Sequence, residues 1–264
     1  MLFGNLFPLP SDVGWSSHSD EPMPQNKAHD RATVMPGKRI AAVPSKVPLY
    51  DSLAPDYDRF VNWEARLDHE LPFLTSVFAA HGVERILDAA CGTGHHAIAL
   101  AQEGYRLMGT DLSAVMIERA VGNATEAGVD IPFAVCGLGE LEGLASTFDA
   151  VLCLGNSLPH LLTASEVDDA LRDFGGVLRP GGVLIIQNRN FDRVWVERER
   201  FMPPQSHRDG DEERLFLRFY DFHPNTITFN MIRLWRSNEA WGLSLIHISE
   251  PTRPVGISRM PSSA

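Results

Sequence analysis

Two carboxylates flank a glycine-rich turn in the first half of the chain. Residues 86–94 have the sequence ILDAACGTG, in which a short apolar run ends in Asp88 and leads into Gly92 and Gly94. A second apolar run ends in Asp111. Apolar residues recur at helical spacing after the turn, so we expect a strand, a turn and a helix here. Because backbone N–H groups gather where a helix begins, this turn could hold a small charged ligand against the main chain.

The charge of that ligand is the next question. The glycine spacing also satisfies the fingerprint of dinucleotide-binding turns, and Asp111 lies at roughly the spacing of their ribose-binding acid. A carboxylate at position 88 would repel a pyrophosphate, but it suits a ligand with an ammonium group. The turn therefore favours a cationic cofactor, and a dinucleotide-dependent oxidoreductase stays open as an alternative.

Short apolar segments alternate with helical patterns through the middle of the chain. This pattern predicts an α/β fold with a doubly wound, mostly parallel sheet that is covered on both faces. Ligands of such sheets lie beyond the carboxyl ends of the strands. The predicted strands are 85–89, 105–110, 132–136, 150–154 and 183–187, and the predicted helices are 62–80, 95–103, 113–127 and 163–177.

The segments on either side differ in composition. Residues 1–46 are rich in Pro and Ser and lack periodicity, which predicts a disordered arm or an over-extended gene start. Residues 47–190 form the predicted ligand-binding domain. Residues 191–242 contain two alternating runs, which predict an antiparallel hairpin that serves as a substrate flap. Residues 243–264 resemble translated sequencing adapter, so we expect a non-native tail there and expect the C-terminal strands of the sheet to be missing.

Composition excludes several classes of partner. The net charge of −11 makes nucleic acid an unlikely ligand, and no apolar run is long enough to cross a bilayer. The three cysteines are too scattered for a disulfide framework or a zinc site, and no signal peptide is evident, which together predict a cytoplasmic protein.

The motifs resemble those of class I S-adenosylmethionine-dependent methyltransferases. ILDAACGTG resembles the first motif of that family; GTDLS at 109–113, FDAVLCLGNS at 148–157 and LRPGGVLII at 178–186 resemble the second, fourth and fifth. The resemblance covers about residues 50–190. It implies a Rossmann-like methyltransferase fold, with S-adenosylmethionine as the cofactor and no metal.

A narrower resemblance concerns the methyl acceptor. Residues 154–161 (LGNSLPHL), residues 187–192 (QNRNFD) and the hairpin that follows resemble glycine and sarcosine N-methyltransferases. This implies a small-molecule acceptor, namely a carboxylate-bearing amine. It is also compatible with a homo-oligomer. O- or C-methylation of another metabolite stays open, as does a methyltransferase-like domain that binds without turnover.

The family resemblance also implies roles for particular residues in cofactor binding. Asp88 would contact the methionine amino group, Asp111 the two ribose hydroxyls, and Arg66 the methionine carboxylate. The acid usually expected at the adenine edge is replaced by Gly137, which leaves that contact to the backbone N–H of Leu138. The full predicted cofactor set is Arg66, Asp88, Ala90, Gly92, Gly94, Asp111, Leu112, Leu138 and Leu154.

For the acceptor, the resemblance implies Asn156, Arg189 and Tyr220 as catalytic-site residues. Arg189 would hold the substrate carboxylate, and its alternative is an ordinary salt bridge at the rim. His160 is either a base or a structural histidine after Pro159.

Overall fold

The protein folds into two sheets joined by helices. The structure, a computed structural model, describes residues 48–144, 147–237 and 240–251. The predicted N-terminal arm and the end of the predicted tail, residues 252–264, lie outside the described residues. Within these ranges, no helix is both long enough and apolar enough to span a lipid bilayer.

The first sheet is parallel, and its five strands lie in the order β3-β2-β1-β4-β5. From β1 the chain adds β2 and β3 on one side of the sheet and then β4 and β5 on the other. The boundary between β1 and β4 is therefore the switch point, where open α/β sheets form a crevice for ligands. The prediction of a doubly wound parallel sheet is confirmed. The strands are β1 Arg85–Ala89, β2 Arg106–Asp111, β3 Phe133–Val135, β4 Phe148–Cys153 and β5 Leu178–Ile186.

Six helices surround the two sheets in the described ranges. Side chains cap four of them, and three of these caps lie on predicted helices: Asn62 Oδ1 accepts the Ala65 N–H, Ser113 Oγ accepts the Met116 N–H, and Thr163 forms a capping box. The sixth helix was not predicted, although Asn190 caps it. The bounds are α1 Pro48–Phe60, α2 Trp63–His81, α3 His95–Gln102, α4 Ala114–Glu126, α5 Ala164–Val177 and α6 Phe191–Glu197.

Burial on both faces explains why the parallel strands are almost wholly apolar. Ile86 packs with Phe78 and Leu100 on one face of β1, and Leu87 packs with Phe174 on the other. All of these side chains are fully buried. Asp88 and Asp111 lie next to or at the carboxyl ends of β1 and β2.

The second sheet is antiparallel, with β6 Gln205–Asp209, β7 Glu212–Phe222, β8 Thr226–Ser237 and β9 Ala240–Pro251 in sequence order. The predicted hairpin is its central pair, β7 and β8. Residues 243–251 belong to the predicted non-native tail, which was left out of the fold prediction; in the structure they lie in β9 and pair with residues 226–234 of β8. Their alternating LSLIHIS sequence fits a strand, and β8 offers a free edge. The adapter origin of this segment stays a prediction.

Helix α1 connects the second sheet to the first. The Asp56 carboxylate is 8% exposed and lies 2.8 Å from both Arg214 Nε and Arg233 Nη1, which belong to β7 and β8. Leu53 of the same helix packs with Phe216 in a separate apolar cluster. An ion-pair cluster and a small core thus fix α1 to the antiparallel sheet.

Candidate active site

A pocket lies at the carboxyl ends of β1, β2 and β4, under α1 and the start of α2. Eight of the nine residues predicted to bind the cofactor line it: Arg66, Asp88, Ala90, Gly92, Asp111, Leu112, Leu138 and Leu154. Residues that the sequence reasoning missed also line the pocket, among them Tyr50, Trp63 and His96. The structure thus brings residues from six separate segments to the switch point of the sheet.

The turn after β1 is held by backbone contacts to β2. The Cys91 N–H donates to Thr110 O at 2.8 Å, and the Gly92 N–H donates to Asp111 Oδ2 at 2.9 Å. Gly92 has a φ of +56°, a backbone conformation that residues other than glycine rarely adopt. This conformation brings the main chain to the pocket surface.

Gly94 is the exception among the predicted cofactor residues. It caps α3 with a φ of +82° and does not belong to the pocket lining. A Cβ atom there would lie 3.1 Å from Ala120 and 3.2 Å from Phe133. Gly94 therefore allows the turn to pack tightly against α4 and β3.

Asp88 carries an unused acceptor at the floor of the pocket. Its side chain is 1% exposed, and Oδ2 accepts no hydrogen bond from the described residues. Burial raises the pKa of Asp88 to about 6, with the nearby His96 opposing that rise. A ligand ammonium group would compensate this carboxylate, so the site fits the methionine end of the expected cofactor.

Asp111 is held in one orientation at the end of β2. Oδ1 accepts the Ser113 N–H at 2.9 Å, and Oδ2 accepts the Gly92 N–H at 2.9 Å. Burial raises the pKa of Asp111, while these backbone hydrogen bonds oppose the rise. Each carboxylate oxygen keeps a further lone pair, so the group fits the two adjacent hydroxyls of a ribose.

A different acid lies beside the position of the missing adenine-edge acid. Glu140 Oε2 accepts the Gly137 N–H at 3.1 Å, and a Cβ atom on Gly137 would lie 3.3 Å from that oxygen. The carboxylate of Glu140 thus occupies space that a longer residue at 137 would take. The Glu140 carboxylate, three residues after Gly137, was not predicted from the sequence.

The three residues predicted for the acceptor form a chain of hydrogen bonds next to the pocket. Asn156 Oδ1 accepts the Arg189 N–H at 3.0 Å, and Arg189 Nη1 donates to the Tyr220 hydroxyl at 2.7 Å. None of the three lines the pocket, although the neighbours of Asn156, Gly155 and Ser157, do. Arg189 forms no ion pair with any described residue, which argues against the rim salt bridge.

Helix α1 covers the pocket from above. Tyr50 and Tyr57 line the pocket, and the Tyr50 hydroxyl lies 2.5 Å from His160 Nε2. Burial lowers the pKa of His160 to about 4, so its imidazole is neutral at pH 7. Asp58, further along α1, accepts hydrogen bonds from Thr93 Oγ1 at 2.6 Å and from His95 Nε2 at 3.0 Å. The same helix therefore closes the pocket and binds the glycine turn.

Comparison with known proteins agrees with the fold. Residues 86–182 match the family described as a methyltransferase domain. A solved S-adenosylmethionine-dependent methyltransferase from Clostridium acetobutylicum has a TM-score of 0.62 at 18% identity, over 76% of this chain and 81% of that one. The amino pentose methyltransferase CalS10 of Micromonospora echinaspora, solved with SAM bound, has a TM-score of 0.59 at 22% identity, over 76% and 81%. Residues 86–182 therefore carry a methyltransferase domain, on a fold that these two solved S-adenosylmethionine-dependent methyltransferases share.

Within that class, the chain is similar to enzymes with a named acceptor. It is 35% identical over 142 residues to the glycine/sarcosine N-methyltransferase of Aphanothece halophytica, a match that covers 53% of this chain and 54% of that one. The chain spans about half the length of the curated relatives that it matches.

Proposed function

We propose that the protein transfers the methyl group of S-adenosylmethionine to the amine of glycine, sarcosine or a related carboxylate-bearing compound. The observation that carries the proposal is the buried carboxylate of Asp88, whose Oδ2 has no hydrogen-bond partner among the described residues. It calls for a cationic ligand at the switch point of a methyltransferase sheet. The similarity to glycine/sarcosine N-methyltransferases supports an amine as the acceptor.

Residues that converge on the pocket would hold the cofactor at three points. Asp88 would accept from the ammonium group, Asp111 from both ribose hydroxyls, and Arg66 would donate to the carboxylate. The Gly137–Leu138 backbone, with the nearby Glu140 carboxylate, would face the adenine edge. The cofactor supplies a methyl group bound to a sulfonium sulfur. When the methyl group is transferred, the sulfur leaves as a neutral thioether.

The acceptor would enter beside Asn156, where Arg189 is available for a carboxylate. A guanidinium forms two parallel hydrogen bonds with a carboxylate, so it would fix both the position and the direction of the amine. The attacking amine must be uncharged, and a site that excludes water favours the neutral form. Alignment of this kind can contribute up to roughly 7–11 kcal/mol of the barrier. On this view, the protein provides orientation and desolvation rather than acid catalysis.

A methyl-transfer screen tests the proposal. The purified chain is incubated with S-adenosylmethionine and one acceptor from a panel of glycine, sarcosine, dimethylglycine, simple amines without a carboxylate, alcohols and carbon acids, and the methylated products are identified by mass spectrometry. We expect methylation of the carboxylate-bearing amines. Methylation confined to alcohols or carbon acids would instead favour the O- or C-methyltransferase alternative. Cofactor binding with no turnover on any acceptor would favour a binding domain.

A further inference from the structure

Glu70 lies at the centre of a cluster behind the pocket that the sequence analysis did not foresee. It stands one helical turn after Arg66 on α2 and accepts the Arg66 Nε–H at 3.1 Å. His96 Nε2 and Gln187 Nε2 each donate to Glu70 at 2.6 Å. Burial alone would raise the pKa of Glu70, but the hydrogen bonds from His96 and Gln187 outweigh it and hold the pKa at about 2. Glu70 is therefore ionised at neutral pH.

Gln187 links this cluster to the acceptor side. Its Oε1 accepts both the Arg66 Nη2–H at 3.1 Å and the Gly155 N–H at 3.1 Å. Its main chain pairs with the same turn, since the Asn156 N–H donates to Gln187 O at 3.1 Å. One glutamine thus joins the arginine expected at the cofactor to the turn expected at the acceptor.

These contacts leave part of the Arg66 guanidinium free to bind a ligand. Nε is used by Glu70, Nη2 by Gln187, and Nη1 donates to no described residue. The guanidinium also lies 5.3 Å from the centre of the Trp63 ring. An arginine otherwise has many rotamers, and binding must restrict that freedom at a cost in entropy. In this protein, Nε and Nη2 of Arg66 are held by hydrogen bonds before a ligand binds.

We propose that Glu70 and Gln187 are positioning residues, which hold Arg66 in the one orientation that presents Nη1 to the carboxylate of S-adenosylmethionine. This inference rests on the proposed function. Two effects of Glu70 oppose each other, because its negative charge would also repel a ligand carboxylate. Three hydrogen bonds already engage that charge, so we expect orientation to outweigh repulsion.

The test compares two ligands that differ only in the carboxylate. Titration calorimetry measures Kd for S-adenosylmethionine and for decarboxylated S-adenosylmethionine with wild type, Arg66→Ala, Glu70→Gln and the double variant. We expect Glu70→Gln to raise Kd for S-adenosylmethionine about tenfold and to change Kd for the decarboxylated compound less than about twofold. Because Glu70 acts through Arg66, the double variant should be no worse than Arg66→Ala alone.

Two further variants guard against a general loss of structure. Asp68→Asn changes an exposed acid on the same helix and should affect neither ligand. Gln187→Leu should weaken S-adenosylmethionine selectively, as Glu70→Gln does, and should also raise KM for the acceptor through the 155–156 turn. This pattern of ligand selectivity is not expected from a variant that only loosens the fold.

The inference is overturned if Glu70→Gln weakens both ligands equally, tightens S-adenosylmethionine binding, or adds its full effect to Arg66→Ala. A wild-type chain that binds both ligands equally would remove the role of Arg66 and this inference with it. Methyl transfer in the acceptor screen would still stand in that case, so the two failures are distinguishable.

Discussion

The two sheets contribute to the site in different ways. The parallel sheet holds its ligand groups through main-chain contacts over short stretches of sequence, as when Asp111 accepts the Gly92 N–H. The antiparallel sheet contributes through side chains that are far apart in sequence, as when Arg189 donates to Tyr220. The glycine turn and Asp111 on the cofactor side are thus held by contacts within the parallel sheet, whereas the acceptor side depends on how the second sheet is attached. Damage to either part should therefore have separable effects.

The largest effect should come from the cofactor side. Asp111→Ala removes two backbone hydrogen bonds from the turn and both expected contacts to ribose. Hydrogen bonds to charged groups contribute about 1.5–3 kcal/mol each, so we expect Kd for S-adenosylmethionine to rise about a hundredfold or more. Calorimetric titration measures this. Asp130→Asn, at an exposed position, is the control, and a loss below about tenfold would contradict the role of Asp111.

The next effect concerns the connection between the two sheets. Asp56→Asn leaves Arg214 and Arg233 without their shared carboxylate. Breaking a fully buried ion pair costs about 3–5 kcal/mol, and since both arginines are partly exposed we expect a loss of about 2–3 kcal/mol in the free energy of unfolding. Urea denaturation measures it. Glu103→Gln on the opposite side of the molecule should cost almost nothing, and equal losses for the two variants would count against the connection.

A smaller effect should separate the acceptor from the cofactor. Arg189→Ala removes the guanidinium expected at the acceptor carboxylate, and we expect KM for glycine or sarcosine to rise about thirtyfold. Kd for S-adenosylmethionine should change less than about twofold, because Arg189 does not line the cofactor pocket. Arg193→Ala, an exposed arginine paired with Glu197, is the matched control. Loss of cofactor binding in Arg189→Ala would contradict its predicted role, because it would assign Arg189 to the cofactor site rather than to the acceptor site.

The smallest predicted effect is a pH dependence of cofactor binding. Burial raises the pKa of Asp88 to about 6, so the carboxyl group is protonated below that pH and cannot compensate an ammonium group. Between pH 7 and pH 5 the ionised fraction falls about tenfold, and Kd for S-adenosylmethionine should rise by the same factor. Titrations across this range test it. In Asp88→Asn the affinity should be weaker but independent of pH, and a wild-type Kd that stays constant would contradict the assignment.

The parallel sheet was predictable because its information is local. Each strand is a short apolar run, and residues such as Asn62, Ser113 and Thr163 cap the helices that follow. The positions of Asp88 and Asp111 at strand ends also placed them together, since carboxyl ends of parallel strands share one edge.

The rest depended on contacts that no local pattern contains. Glu70 and Gln187 are 117 positions apart, and only the fold shows that they share Arg66. Strand β6 has no distinctive pattern of its own and is defined by its pairing with β7. Gly94 was predicted as a ligand contact because the motif treats both glycines alike, although one faces the pocket and the other faces α4.

Helix α1 has a kinetic consequence. It carries Tyr50 and Tyr57 over the pocket and is fastened by Asp56 to the antiparallel sheet and by Asp58 to the glycine turn and α3. Turnover should then follow how often this helix detaches, as in other enzymes whose product leaves only after a segment opens. Added salt weakens partly exposed ion pairs, so moderate ionic strength should speed product departure without altering the methyl-transfer step itself.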